Sequence, residues 1–356
     1  MAGAALVAAL VVGGLAAWRY ADAHPDLAAC YPPTHTVTDA PAGTPLPPGV
    51  RGRLLVANQF SETATWIDLA TRSVRHVSAG DGPHNVAISD DGRWGVVSNF
   101  GEHIPEGFSG DRLFVVDMAL GRLARVIPTG AFRGLHDVSF RPGFATRVLV
   151  TAQTSRRVIE VDIATGEITG SIDTRGDRSH TLAVTADGRF AFTTNEGTAT
   201  VTRLDVERRL PVAEFRAVPE VEGIAVTRDG RDLWLGMGHD SALAVVDAET
   251  GEILERYRGF RYPVRMAASA DGRWIVISDL GCNTVTVADA ATRRLVRIIR
   301  GPLRMAVGAV SPDGRYGFAS VWPRRQVIVL DLETGVVLAR FRAGRGTDGV
   351  AWGPAS

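Results

Sequence analysis

Three of the chain's eight histidines stand at one repeated position: His84 in "GPHNVAIS", His136 in "GLHDVSF" and His180 in "RSHTLAV". Counting back seven residues from the Asp of a recurring Asp-Gly-Arg turn reaches His84, His180, Glu222, Val264 and Ala306. Segments without that turn, aligned on their strand valines, add His136 and Asp348. In chain-closing order the position therefore reads Asp348, His84, His136, His180, Glu222, Val264, Ala306. Neutral imidazoles with carboxylates beside them make a divalent-metal donor set. The mixture admits Zn, Cu, Fe or Mn. His84, His136, His180 and Glu222 are the expected ligands, and Glu222 and Asp348 the expected general bases or orienting groups.

Two further groups lie near that position. The segment "FGEHIPEGFSGD" carries Glu102, His103 and Glu106 between glycines, which suits a lid or an additional ligand. Arg265 and Arg304 fall within a residue or two of the same register and are expected to hold a carboxylate or phosphate of a substrate. The chain holds no GxSxG, P-loop, dinucleotide-binding or CxxCH pattern, so serine-hydrolase chemistry and covalent haem attachment are disfavoured.

The elements that must position these residues follow from a repeat. Strand-like runs open at Leu54, Trp94, Arg147, Phe190, Asp232, Trp274 and Tyr316, with spacings of 40, 53, 43, 42, 42 and 42 residues. Each unit continues with a strand ending near an aspartate, a turn such as "ATGE", a third strand and a fourth that meets the next unit at Asp-Gly-Arg. Four short strands per repeat cannot bury both sheet faces alone, so the units must stack around an axis. The expectation is an all-β, seven-bladed β-propeller of four-stranded blades. Its last strand, "TDGVAWG", should complete the first blade and close the ring. The long second unit carries its excess on the face where the histidines converge.

The frame "P-x-x-V-A-V-S-x-D-G-R", a strand ending in Asn, then "V-x-V-x-D-x-x-T-G", resembles the YVTN-type β-propeller repeat over about residues 51–356. Asn58, Asn99 and Asn195 occupy the asparagine position of that repeat, while Gln153, Met237, Asp279 and Val321 depart from it. The repeat is also similar to the propellers of lactonase-like enzymes and of the haem-binding domain of nitrite reductases. The resemblance implies the fold; the scaffold hosts catalysts and binders alike.

Composition and ends bound the rest. Lys plus Arg and Asp plus Glu each number 39, so no chain-wide charge points to nucleic acid, and none is expected as a partner. Residues 1–23 begin with a long apolar run and end in Ala21-Asp22-Ala23, a pattern of a signal peptide or an N-terminal membrane anchor. Either implies a periplasmic or secreted location, with the anchor tethering the chain to the inner membrane. Residues 24–50, rich in Pro and Thr, read as an extended arm before a propeller over 51–356. Two cysteines, Cys30 and Cys282, could pair there and staple the arm. Two readings follow. One is a metal-dependent hydrolase, lyase or isomerase acting on a small polar or anionic molecule; the other is a non-catalytic propeller binding a metal, a cofactor or an envelope protein partner.

Overall fold

A computed structural model describes residues 30–48, 50–104, 107–217, 221–238, 240–302 and 304–355. The expected signal or anchor, residues 1–23, lies outside them. Seven antiparallel sheets of four propeller strands each run around one axis. Blade 1 is Arg53–Asn58, Thr63–Asp68 and Ser73–Ser78, with Thr347–Gly353 as its innermost strand. The other inner strands are Pro83–Ile88 (blade 2), Leu135–Phe140 (blade 3), Ser179–Val184 (blade 4), Val221–Val226 (blade 5), Pro263–Ala268 (blade 6) and Met305–Val310 (blade 7). Pairing of Leu54 with Trp352 and of Val56 with Val350 closes the ring with the last strand, as the repeat requires.

Alternation of side chains explains the packing. Core clusters form between blades, as where Val96 and Val115 of blade 2 meet Val138, Val150 and Ile159 of blade 3. Each Asp-Gly-Arg hairpin is built alike. In blade 2, Ser89 Oγ donates to Asp91 Oδ1 at 2.6 Å, the Trp94 amide donates to Ser89 Oγ at 3.0 Å, and Gly92 takes φ +69°. Where an aromatic opens the next strand the turn arginine lies over it, as Arg93 over Trp94 and Arg273 over Trp274. They are scaffold. Arg293 of blade 6 forms a two-point pair with Asp232 of blade 5 at 2.6 and 3.0 Å.

The arm is not a loose linker. Cys30 and Cys282 are joined by a disulfide, with Cα atoms 5.9 Å apart and 252 residues between them in sequence. Beyond it, His35–Thr36 adds a parallel fifth strand to blade 6 and Thr38–Asp39 adds one to blade 7. The repeat's asparagines brace strand ends: the Asn195 amide donates to Thr200 and Thr202. In blade 3 the residue paired at that register is Ala152, with Gln153 one position beyond it. A rigid seven-fold frame results, and the inner strands bring one register to its axis.

Candidate functional site

The inner strands do not run in unbroken register. In blades 1 to 5, two consecutive residues face a single residue of the neighbouring strand: Asp348–Gly349 face Ala57, His84–Asn85 face Ser98, His136–Asp137 face Thr151, His180–Thr181 face Thr194, and Glu222–Gly223 face Gly236. Such a bulge takes two neighbouring side chains out of alternation and re-aims them. In blades 2 to 4 the second residues, Asn85, Asp137 and Thr181, line the channel cavity and make a second tier beside the histidines; in blades 1 and 5 that residue is glycine. In blade 6 Val264 is the extra residue, and in blade 7 the slip comes later, between Val307 and Ala309.

Hydroxyls facing the bulges lock the tiers from blade to blade. Ser98 Oγ donates to the His136 carbonyl at 2.6 Å, and Thr151 Oγ1 donates to the His180 carbonyl at 2.8 Å. Thr181 Oγ1 does the same to the Glu222 carbonyl. Backbone carbonyls that would otherwise be buried unpaired thus fix where each imidazole starts.

The upper tier holds the three histidines edge to face in a row. Ring centroids of His84 and His136 are 4.0 Å apart, and those of His136 and His180 are 3.7 Å apart. Carboxylates flank the row. Asp348 Oδ2 lies 3.4 Å from His84 Nδ1, and Glu196 pairs with His180 Nδ1 while accepting from Arg178 at 2.8 Å. Glu196 follows the strand-ending Asn195, and sequence reasoning missed it. A lone acidic residue after an otherwise scaffold-type asparagine was the available signal. His136, only 2% exposed, has a buried Nδ1 without a hydrogen-bond partner.

These surroundings split the charge states. Burial lowers His84 to about 4, against the pull of Asp348 and with help from Arg265. Burial and the neighbouring His180 and His84 hold His136 well below the usual imidazole range. Burial also opposes the charged form of His180, but the charge and hydrogen bond of Glu196, with Glu222 behind, outweigh it and raise that group. Two imidazoles are therefore biased toward the neutral form beside one that its ion pair biases toward the charged form.

The expected bases are engaged. Tyr262 donates to Glu222 Oε1, and Arg265 reaches across the lumen from blade 6 to Asn85 Oδ1 of blade 2 and Asp348 Oδ1 of blade 1. Burial raises Asp348, yet Arg265 and His84 together hold it below its ordinary value. Arg304 is buried in the left-handed turn before blade 7, where its amide donates to Asn283 Oδ1 at 2.9 Å; the cavity lining described below does not include it.

The blade 2 insertion folds over the row as a short hairpin, with Ser109 and Glu102 exchanging bonds at 2.9 Å. Glu102 itself is exposed. The His103 side chain and Glu106 lie outside the described residues. The hairpin's contact with the site is aromatic. Phe108 stacks on Phe100 at 3.7 Å, and Phe100 meets His84 and His136 at 5.3 and 4.9 Å.

Below the histidines the second tier lines a cavity of 170 Å³ that includes Asn85, Asp137, Thr181 and Arg265. Among the described residues, no three His, Cys, Asp or Glu side chains already stand in a metal-holding arrangement. The rings meet one another at interplanar angles of 42° and 65°.

Comparison with known proteins settles the lineage. A family model described as YNCE-like beta-propeller matches residues 38–318. The chain belongs to the YNCE-like β-propeller family. No curated protein matches it. Solved structures that match number 1633 chains, among them Kuenenia stuttgartiensis hydrazine synthase. That structure is similar to this YNCE-like propeller at 17% identity and a TM-score of 0.67, covering 84% of this chain and 95% of its own. At that identity the likeness is one of fold.

Proposed function

We propose that this propeller is an exported protein that binds a divalent transition-metal ion at one mouth of its channel through His84, His136 and His180. The observation that carries the reading is the row of three buried imidazoles on three successive blades, with two of them held neutral. The donor chemistry fits. Glu196 stands at Nδ1 of His180 where an orienting carboxylate stands at a metal histidine, and Asp348 lies 3.4 Å from His84 Nδ1; a metal bound through His180 Nε2 would displace any proton held there. Zn, Cu and Fe suit such imidazole donors best, and Mn less well.

In this reading Asp348 and Glu196 orient ligands. Glu222, tied to Tyr262, supports the His180 charge and reaches a metal only by leaving that bond. A metal bound there would supply Lewis acidity; the cavity beneath the histidines favours a small polar molecule as the species acted on, if the protein is an enzyme. Export is supported by the Cys30–Cys282 bond, because such bonds persist in oxidising compartments, and by the apolar N-terminus. No helix among the described residues is long and apolar enough to cross a membrane; the apolar N-terminal run is the segment suited to an inner-membrane tether.

Metal analysis of the exported, oxidised protein tests the proposal. Near-stoichiometric metal, lost in His136→Ala and retained in Arg304→Ala, is expected. Absence of bound metal after reconstitution with Zn, Cu(II), Fe(II) and Mn in turn would refute it. Catalysis is tested separately by turnover of lactones and small acids, with Glu222→Gln as the variant that must abolish it.

A further inference from the structure

The lower tier carries a site of its own. Its 170 Å³ cavity is closed around by all seven inner strands and is lined by Asn85, Asp137, Ser139, Thr181 and Arg265 among apolar residues such as Val138 and Leu182. Three features make it more than a water-filled lumen. Asn85 is 3% exposed; its Oδ1 accepts from Arg265, yet its Nδ2 is buried without a hydrogen-bond partner. A buried amide donor left unmatched is costly and calls for a ligand atom. Arg265 has five N–H donors, and its bonds to Asn85 and Asp348 use two of them. The fork therefore still offers donors to the cavity that it lines.

Asp137 is the third feature. Its oxygens accept from the Val138 and Leu182 amides at 2.9 and 2.8 Å, which anchors the carboxyl at the wall. Glycine keeps the space open: a Cβ on Gly349 would come within 2.7 Å of Asn85 Oδ1.

We propose that the lumen beneath the histidines binds a small carboxylate ion, held by Arg265 and by the Asn85 amide. A planar carboxylate matches the guanidinium fork, and its second oxygen accepts from Asn85 Nδ2. The cavity has room for about five or six waters at about 30 Å³ each, so the ligand carries about two to four carbons. The proposal does not rest on the metal reading, since none of the three histidines contacts the ligand.

Isothermal titration of the metal-free, oxidised protein with acetate, pyruvate and succinate tests it, with acetamide as the neutral control. Saturable millimolar or tighter binding of at least one carboxylate is expected, and acetamide should bind at least about tenfold more weakly. Arg265→Met should weaken the carboxylate by about tenfold or more. If that variant fails to fold, Asn85→Ala, which keeps the arginine, should lower affinity several-fold with the fold confirmed by circular dichroism. Arg304→Ala, at an arginine outside the cavity lining, must leave carboxylate affinity unchanged; loss there would make the binding a general charge effect and overturn the proposal. Equal binding of acetamide, no saturable binding of any carboxylate, or unaltered affinity in both lumen variants would overturn it as well.

Discussion

Blades 1 to 5 and blades 6 to 7 are copies of one repeat put to different uses. The first group presents Asp348, His84, His136, His180 and Glu222 at the channel mouth, each on a bulge with the same register. The second presents Val264 and Ala306, and its bulges differ. What blades 6 and 7 have instead is closure. They alone carry the arm's parallel strands, blade 6 holds the disulfide, and Arg340 of blade 7 pairs with Asp39 of the arm at 2.6 Å. A repeat protein can thus assign polar chemistry to one arc of its ring and mechanical fastening to the other. Arg265 is the side chain of the fastened arc that crosses the lumen to blades 1 and 2 of the polar arc.

If the division is real, damage to the strap should cost stability and spare the site. Cys282→Ser removes a link that spans 252 residues, and a loss of about 2–4 kcal/mol in unfolding free energy is expected by urea denaturation. Metal stoichiometry should stay as in the parent. A parallel loss of metal would show that the two arcs are one unit.

The polar arc should respond to acid instead. His84 and His136 are held neutral in the fold, so below 6.5 the unfolded chain binds protons that the native chain does not, and stability falls with pH. His180 runs the other way: its raised value gives stability that is complete below 6.5 and is lost as pH rises through its folded value. Between pH 6.5 and about 5 the loss should approach about 2 kcal/mol for His84, with His136 acting in the same direction, in metal-free protein. His136→Phe should flatten that acid slope by about half. An unchanged slope would contradict the assigned charge states.

Asp279 joins the two arcs more quietly. Its carboxylate accepts from the amides of Arg261, Tyr262, Gly281 and Cys282 at 2.8–3.0 Å. It thereby holds both the disulfide loop and the tyrosine that donates to Glu222. Asp279→Asn sets an NH2 group against at least one of those donors and should cost about 1.5–3 kcal/mol. It should also weaken metal binding slightly, through Tyr262, where Cys282→Ser does not.

How much of this was readable beforehand divides along the same line. Blade number, ring closure and the shared register of His84, His136 and His180 follow from spacing, because each depends on one repeat length and one turn signature. The bulges did not follow. They add no residue to the repeat, so nothing in a single repeat shows that Asn85 and Asp137 turn inward beside the histidines. Glu196, Tyr262 and Phe108 escaped because they reach the site from other strands and turns. Arg265 was placed near the mouth as a substrate clamp, whereas its pairing with Asp348 across the lumen is a matter of side-chain reach that periodicity does not encode. The arm looked like a linker because two-residue strands are too short to show a period.

The smallest expected effect bears most directly on the site. Glu196→Gln keeps the size of the side chain and its acceptor oxygen toward Arg178 but removes the charge that outweighs burial at His180. His180 should then titrate on the low side of 6.5, as His84 and His136 do, and native protein at neutral pH should carry no imidazolium in the row. The stability change at pH 7 should be modest, about 1 kcal/mol, because the lost ion pair is offset by the relief of a buried charge. The clear readout is the imidazole signal of His180 in a pH titration by NMR. A signal that still titrates above 6.5 would mean that Glu222, and not Glu196, holds the proton on the row, and would make blade 5 the orienting blade of the arc.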